Sequence, residues 1–432
     1  MNQTYFSPTD GAAATPATSP AKTEVAVTGG VDVSQLGYWQ LVTRQFRKKQ
    51  TAMVGLGAIL VLLLLAIYAP LLIGNRPYYL RFGDGPLQFP WARSLFDVNY
   101  YECTVDLIFN LLMVLSPCFL LVYGLTRKLP TIFRKCAVLS CIGLFVICLG
   151  AIIYFPYSEP YTDRQELLPM KELILKRQTQ GIPVHYQMPP VPYAYKETDK
   201  VETHPQAPSA RHWLGTDTIG RDVMARMVFG LRIAFSVGVV AVSIYMTIGI
   251  ILGALAGYCG GLVDLLISRF IEIMLCFPFL FFILTIAAMI DNRSIYHVMI
   301  IIGLTSWPSV ARLTRAEYLK QREMDYVQAA ISQGIEQRQI VFSHILPNAI
   351  SPILVSATFG IASAILYEST LSFLNVGDAN VASWGELLNM GRQQMQSWWL
   401  IMVPGMAIFL MVLLFNLIGD GLRDSLDPKL RE

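Results

Sequence analysis

The chain of 432 residues is 54% hydrophobic and only 15% charged, whereas soluble domains carry about a quarter of charged residues. This balance excludes an ordinary soluble domain and predicts a polytopic membrane protein. The net charge of +3 is small and dispersed, with no basic stripe interleaved with aromatic residues, so nucleic-acid binding is not expected.

The N-terminal residues are rich in Ala, Thr, Pro and Gly. They lack the basic region, apolar core and cleavage site of a signal peptide. We therefore expect a disordered cytoplasmic tail over residues 1–43.

A helix needs about 20 apolar residues to cross hydrocarbon roughly 30 Å thick. Eight stretches of the sequence meet or approach this length. The predicted spans are 52–73, 105–125, 136–155, 233–258, 270–290, 295–310, 350–371 and 398–418.

Lys and Arg cluster before the first span, between the second and third, and in residues 312–347. With eight spans all three clusters fall on one side, which the positive-inside rule makes the cytoplasm. Both termini are then cytoplasmic, and residues 156–231 face outward, into the periplasm. The Pro-rich part of this outward segment is expected to be an extended linker without a fold.

Residues 326–347 read YVQAAISQGIEQRQIVFSHILP and form a polar, amphipathic interruption between apolar runs. Val327 and Ala330 recur at helical spacing, Asp325 suits a helix N-terminus, and Gly334 allows a turn into a second helix. Such a short helix can sit in the cleft of a partner protein. The alternative is an ordinary amphipathic helix at the membrane surface.

A second motif, HWLGTDTIGRDV at residues 212–223, stands before the fourth span. Thr216 or Asp217 is suited to cap a helix N-terminus there. A calcium loop is not expected, because the spacing of Asp217 and Asp222 misses the EF-hand pattern and Arg221 adds positive charge.

Together the two motifs resemble the smaller permease subunit of the oligopeptide, dipeptide and nickel family of ABC importers. YESTLSFL at 367–374 and SWG at 383–385 extend the match over about 203–428, and the first span also belongs to it. The resemblance implies an all-α polytopic membrane protein with an ABC importer type I permease core. About eight transmembrane helices are expected, two more than the usual six, and the additional pair lies between residues 105 and 155.

This resemblance also sets the expected division of the chain. The segments are a cytoplasmic tail 1–43, a first helix with basic flank 44–73, an outer loop with two additional helices 74–155, an outward segment 156–231, a permease core 232–422 with its loop 312–347, and a C-terminal tail 423–432.

The family implies several partners. An extracytoplasmic substrate-binding protein delivers a peptide, a second permease subunit completes the path through the lipid bilayer, and two ATPase subunits use ATP and Mg. No cofactor or metal is expected on this chain. ATPase docking carries over to Asp325, Tyr326, Gln328, Ala329, Ala330, Gly334, Leu346 and Pro347. An outer-face element near the binding protein carries over to Leu214, Gly215, Thr216, Asp217, Gly220, Arg221 and Asp222.

Two docking-loop positions depart from the family pattern. Gln328 replaces an acidic residue, and His344 stands where an apolar residue is usual. An uncharged amide keeps the helix but weakens any inference of a salt bridge.

The sequence contains no GxxxxGK[ST] phosphate loop, so ATP chemistry is expected in separate subunits. No catalytic motif stands out, and enzymatic activity is not expected.

Three glycines spaced by four in the fourth span let another helix approach closely, either within this subunit or in a partner: Gly249, Gly253 and Gly257. Pro278 and Pro308 are expected to bend their helices and to help build or gate a cavity. Glu368 either lines the pathway or outer gate, or makes a structural hydrogen bond.

Three other functions remain open. One is a nickel-chelate importer permease of the same family. Another is a proton-coupled peptide transporter working alone, which needs membrane carboxylate relays and an internal repeat. The third is a membrane scaffold whose outward loop binds a partner.

Overall fold

A computed structural model describes residues 38–101, 103–127, 130–154, 170–199 and 204–426. Helices dominate these ranges. In chain order the elements are α1 (Tyr38–Lys48), α2 (Gln50–Ile67), α3 (Ala69–Leu72), β1 (Tyr79–Phe82), α4 (Pro90–Ser94), α5 (Thr104–Thr126), α6 (Thr131–Tyr154), α7 (Met170–Thr179), β2 (Val184–Gln187), α8 (Val223–Cys259), α9 (Gly261–Cys276), α10 (Phe279–Ala288), α11 (Ile295–Arg322), α12 (Asp325–Ser332), α13 (Gln337–Gln339), a π-helical segment (Ile340–Ile345), α14 (Leu346–Phe373), α15 (Trp384–Gln393) and α16 (Trp399–Leu426). Of the predicted tails 1–43 and 423–432, residues 1–37 and 427–432 lie outside the described residues. Residues 38–43 belong to α1 and residues 423–426 to α16, so the boundaries predicted for the tails are wrong there.

The structure does not confirm the count of eight spans. Among the described residues six helices are long and apolar enough to cross a membrane: α2, α5, α6, α8, α16 and the continuous run Gln337–Phe373 that contains α14. The predicted span 270–290 is instead two helices, α9 and α10, that meet at 82° and would add a seventh if they cross together. The predicted span 295–310 is only the first half of α11, whose second half is polar and basic.

The centre of the bundle is the long helix α8, which packs along α11 and also against α14 and α2. The glycine stripe of α8 faces α11. A Cβ atom at Gly249 would lie 2.6 Å from the Cβ of Val310, and one at Gly257 would lie 2.6 Å from the Cβ of Tyr318. Only glycine permits so close an approach, so these residues pack two helices of the same subunit together.

The outward segment is folded between residues 170 and 199, so the extended-linker prediction is wrong there. Strand β2 pairs antiparallel with β1. Tyr193 and Tyr195 are buried, and the ring of Tyr195 packs 4.7 Å from that of Phe229 on α8. Buried aromatic surface supplies the free energy that orders a Pro-rich segment. Residues 156–169 and 200–203 of the predicted outward segment lie outside the described residues.

Of the two additional helices, α5 is tied to the core by a buried arginine of α8. Arg232 donates hydrogen bonds to Asp106 Oδ1 at 3.1 Å, to Asn110 Oδ1 at 2.9 Å and to the carbonyl of Ala66 at 2.8 Å. Helix α6 packs on α5, and none of its residues from 132 to 154 is buried. The arginine thus joins α8, α5 and the end of α2, while α6 forms an outer layer.

Candidate functional site

Helix α12 lies at the end of the bundle where α8 ends. Its inner face is held by Val327 and Ala330, which pack with Tyr318, Ile340 and Ile345 in one buried apolar cluster. Two inward residues three positions apart fit a helix of two turns that lies flat on the bundle. The helix is therefore fixed to α11 and to the π-helical segment, and a force applied to it reaches both.

The side of α12 that points away from the bundle is not covered by any other described part of the chain. The exposed predicted docking residues are Asp325, Tyr326, Gln328, Ala329, Gly334 and Pro347. The Gln328 side chain donates to the carbonyl of Arg322 at 3.1 Å, so its amide joins α12 to the end of α11. Ala330 is buried and anchors the helix instead of presenting a contact, and Leu346 is half-buried at the start of α14.

Gly334 ends α12 in a left-handed turn. Its φ is +75°, a conformation that glycine adopts without penalty. No atom lies within 4 Å of the position that a Cβ would take, so the space beside this turn is open. The turn directs the chain into α13 and the π-helical segment, which leads to Leu346 and Pro347.

The 212–223 motif lies at the opposite end of the bundle and forms a buried ion-pair network. Arg221 donates to Asp217 Oδ2 at 2.6 Å and to Glu386 Oε1 on α15 at 2.9 Å, and Arg226 also pairs with Glu386. Burial lowers the pKa of Arg221, but the carboxylates of Asp217 and Glu386 outweigh this effect and the pKa lies above its usual value. The guanidinium is therefore charged and cross-links the start of α8 to α15.

The predicted cap at Thr216 or Asp217 is wrong, because Asp222 is the N-cap of α8. Its carboxylate accepts the backbone N–H of Ala225 at 2.8 Å. The buried ring of His212 joins Asp222 to the outward segment: Nδ1 lies 2.8 Å from Asp222 Oδ2, and Nε2 lies 3.2 Å from Asp199 Oδ2. Both ring nitrogens of His212 thus lie within hydrogen-bond distance of a carboxylate, one at the start of α8 and one in the outward segment.

Most of the predicted outer-face residues are consequently internal. Leu214 is half-buried, and the remaining six are buried. The exposed members of the same stretch are Trp213 and Ile219, with 56% and 50% of their surfaces exposed. The sequence pattern pointed to the residues that build this element, whereas the two apolar side chains between them face solvent.

A central cavity of about 550 Å³ lies between α8, α11, α14 and the break between α9 and α10. Pro278 and Pro308 line it, as the sequence suggested for bent helices. Sequence reasoning missed the serines at this cavity. Their spacing carried a signal, since Ser306 and Ser309 lie three apart on α11, on one face of the helix.

Glu368 does not line the central cavity. It is buried, and it accepts hydrogen bonds from Ser372 at 2.9 Å, from Ser383 at 2.7 Å and from Ser369 at 3.3 Å. Three hydroxyl donors satisfy a buried carboxyl group without a cation. The geometry favours the structural hydrogen-bond interpretation of this residue.

Within the described ranges no three His, Cys, Asp or Glu residues are grouped so that they could hold a metal ion.

Two family models match the chain. The model described as "Binding-protein-dependent transport system inner membrane component" matches residues 249–432, and "N-terminal TM domain of oligopeptide transport permease C" matches residues 37–90. Residues 91–248, which include α5 and α6, lie outside both.

Two relatives named as permeases agree with these family models. The dipeptide transport system permease protein DppC of Alkalihalophilus pseudofirmus is 44% identical over 236 residues, which are 53% of this chain and 77% of the relative. The oligopeptide transport system permease protein OppC of Haemophilus influenzae is 40% identical over 241 residues, 55% of this chain and 77% of the relative. An inward-facing structure of the MetNI methionine ABC transporter has a TM-score of 0.41 and 16% identity, and the alignment covers 47% of this chain and 97% of that one.

The chain therefore belongs to the family of binding-protein-dependent transport system inner membrane components. It is a multi-pass inner membrane protein and a transport subunit, not an enzyme. The family works with ATPase and substrate-binding partners.

Proposed function

We propose that this chain is a permease subunit of an ATP-binding-cassette importer that moves short peptides across the bacterial inner membrane. The observation that carries the proposal is α12, a short helix whose buried side is fixed to the bundle and whose opposite side is exposed. Relatives whose names include dipeptide and oligopeptide transport support peptides as the substrate class.

In this proposal two ATPase subunits dock on α12 of this chain and on the equivalent helix of a second permease. ATP and Mg are bound by those partners. Both termini and α12 face the cytoplasm, which places the 212–223 motif at the outer face. Closure of the ATPases moves α12, and its contacts with α11 and the π-helical segment transmit that movement to the central cavity.

At the outer face, the proposal assigns the contact with the substrate-binding protein to the surface around Trp213 and Ile219. The buried residues Asp217, Arg221 and Asp222 hold this surface in place. Aromatic side chains at the centre of an interface commonly carry much of its binding energy.

The proton-coupled and nickel-chelate alternatives are not favoured. Glu368 is engaged by hydroxyl groups rather than by a second ionisable group that would form a relay. The curated relatives described above are dipeptide and oligopeptide permeases.

Co-purification tests the docking assignment. Gly334→Asp places a charged side chain in the open space beside the docking turn, and we expect tagged protein to lose its ATPase subunits. Gly181→Asp is the matched control, since Gly181 has φ +77° and equally open surroundings but lies in the outward segment. Both variants carry the same backbone strain. Equal retention of ATPases by the two variants would contradict docking at α12.

A further inference from the structure

The central cavity is bordered by a broken helix. Helix α9 ends at Cys276 and α10 begins at Phe279, and the two axes meet at 82°. The last carbonyls of one helix and the first N–H groups of the next have no partner within their own helix, and Pro278 provides no side-chain cap for α10. Backbone of this kind is tolerated inside a membrane protein where it lines a cavity that holds water. The break therefore offers hydrogen-bond donors and acceptors to the cavity.

Hydroxyl groups complete the lining. They belong to Tyr245, Thr305, Ser306, Ser309, Ser356, Ser363 and Tyr367. The Oγ of Ser306 is buried and has no hydrogen-bond partner in the described part of the chain. Buried polar atoms are nearly always satisfied, so this hydroxyl is available to a polar guest or to water.

The lining carries no charge. Of the described residues around the central cavity, none is Asp, Glu, Lys, Arg or His. The buried arginines of α8 are paired with carboxylates away from the cavity, Arg232 with Asp106 and Arg226 with Glu386. A cavity of about 550 Å³ is far larger than the roughly 30 Å³ share of one water molecule, so water can remain beside a short peptide. A charged side chain of the guest would meet neither a partner nor a like charge from the protein.

We propose that the central cavity binds the main-chain amides of a peptide in transit and does not discriminate by side-chain charge. The hydroxyls and the free backbone groups at the α9–α10 break match what every peptide shares, its N–H and C=O groups. Charge selectivity then lies outside this cavity. The inference rests on the proposed function and goes beyond it by assigning the residues and the chemistry of passage.

The first test adds a charge. In the complete transporter reconstituted in lipid vesicles, uptake of the tripeptides Ala-Ala-Ala, Ala-Glu-Ala and Ala-Lys-Ala is compared. Ser309 is exposed to the cavity, so Ser309→Asp can be hydrated, and Ser309→Asn is its uncharged isostere. We expect Ser309→Asp to raise the ratio of Lys-peptide to Glu-peptide uptake at least about tenfold over wild type, as unit charges several Å apart in a protein interior produce. We expect the asparagine variant to keep the wild-type ratio. The substrate-binding protein is the same in every sample, so dividing a variant's uptake ratio by the wild-type ratio removes any preference of that protein between the peptides.

The second test removes a hydroxyl. Ser306→Ala deletes a group suited to bind peptide main chain, and we expect uptake of all three peptides to fall by the same factor, about two- to tenfold for one hydrogen bond. A fall confined to one charge type would contradict the proposal. Ser356→Asp and Ser356→Asn repeat the charge test from α14 if the Ser309 variants do not assemble.

The outcomes distinguish failure of the proposed function from failure of the cavity proposal alone. If the wild-type transporter imports no peptide, the proposed function fails. If it imports peptide but neither charged variant changes the uptake ratio, the central cavity is not on the path and only this inference fails. Loss of the second permease from purified Ser309→Asp, with Ser309→Asn intact, would also overturn it, because the cavity would then be an interface between permeases.

Discussion

The buried pair of Arg232 and Asp106 allows a sharp test of how the additional helix α5 is joined to the core. Arg232 is fully buried and Asp106 nearly so, and they lie 3.1 Å apart. Asp106→Ala leaves a buried guanidinium without its carboxylate, which typically costs about 3–5 kcal/mol of unfolding free energy. Asn110 and the carbonyl of Ala66 still accept hydrogen bonds from Arg232, so we expect the lower half of that range.

The matched control is another arginine–carboxylate pair of the same chain. Arg269 and Glu272 lie 2.6 Å apart on α9, with 67% and 58% of their side chains exposed. Glu272→Ala is expected to cost less than about 1 kcal/mol, because exposed pairs contribute little. The free energy of unfolding is measured by titration with sodium dodecyl sulfate in mixed micelles. If Asp106→Ala costs no more than Glu272→Ala, α5 is not held by this pair and our reasoning is refuted.

Two further predictions concern the glycine stripe and Glu368. A Cβ at Gly253 would lie 2.5 Å from a backbone carbonyl of α11, so Gly253→Leu should push α8 and α11 apart and cost at least about 1–3 kcal/mol in the same titration. Gly143→Leu on α6, where no atom lies within 4 Å of the Cβ position, should leave stability within about 0.5 kcal/mol, and an equal cost for both would contradict close packing. Glu368→Gln keeps an acceptor for the surrounding hydroxyls, so peptide uptake and its pH profile should stay near wild type. Loss of uptake with the complex intact would instead indicate a proton relay.

The sequence predicted features that depend on local pattern. The spacing of Gly249, Gly253 and Gly257 indicated a close helix contact, and the structure shows its partner, α11. The helix and glycine turn at 325–334 followed from apolar spacing and from the conformational freedom of Gly334. Periodicity and turn chemistry are properties of neighbouring residues, so they can be read without a structure.

Features that join distant segments could not be predicted in this way. Arg221 and Glu386 are 165 positions apart, and nothing in either local sequence indicates their pairing. The outward segment looked like a linker because of its prolines, but Tyr195 finds a buried position against α8. Pro278 signalled a bend, whereas the 82° angle between α9 and α10 depends on how both helices pack.

The central claim is that this chain conducts peptide in a transporter driven by ATP. The most direct measurement is uptake of a labelled tripeptide into vesicles that contain the complete purified complex, with ATP and Mg supplied on the side of the ATPase subunits. The account predicts uptake that requires ATP, is unaffected when a proton gradient is collapsed, and is lost in Gly334→Asp but retained in Gly181→Asp. Uptake that follows the proton gradient and proceeds without ATP would contradict it.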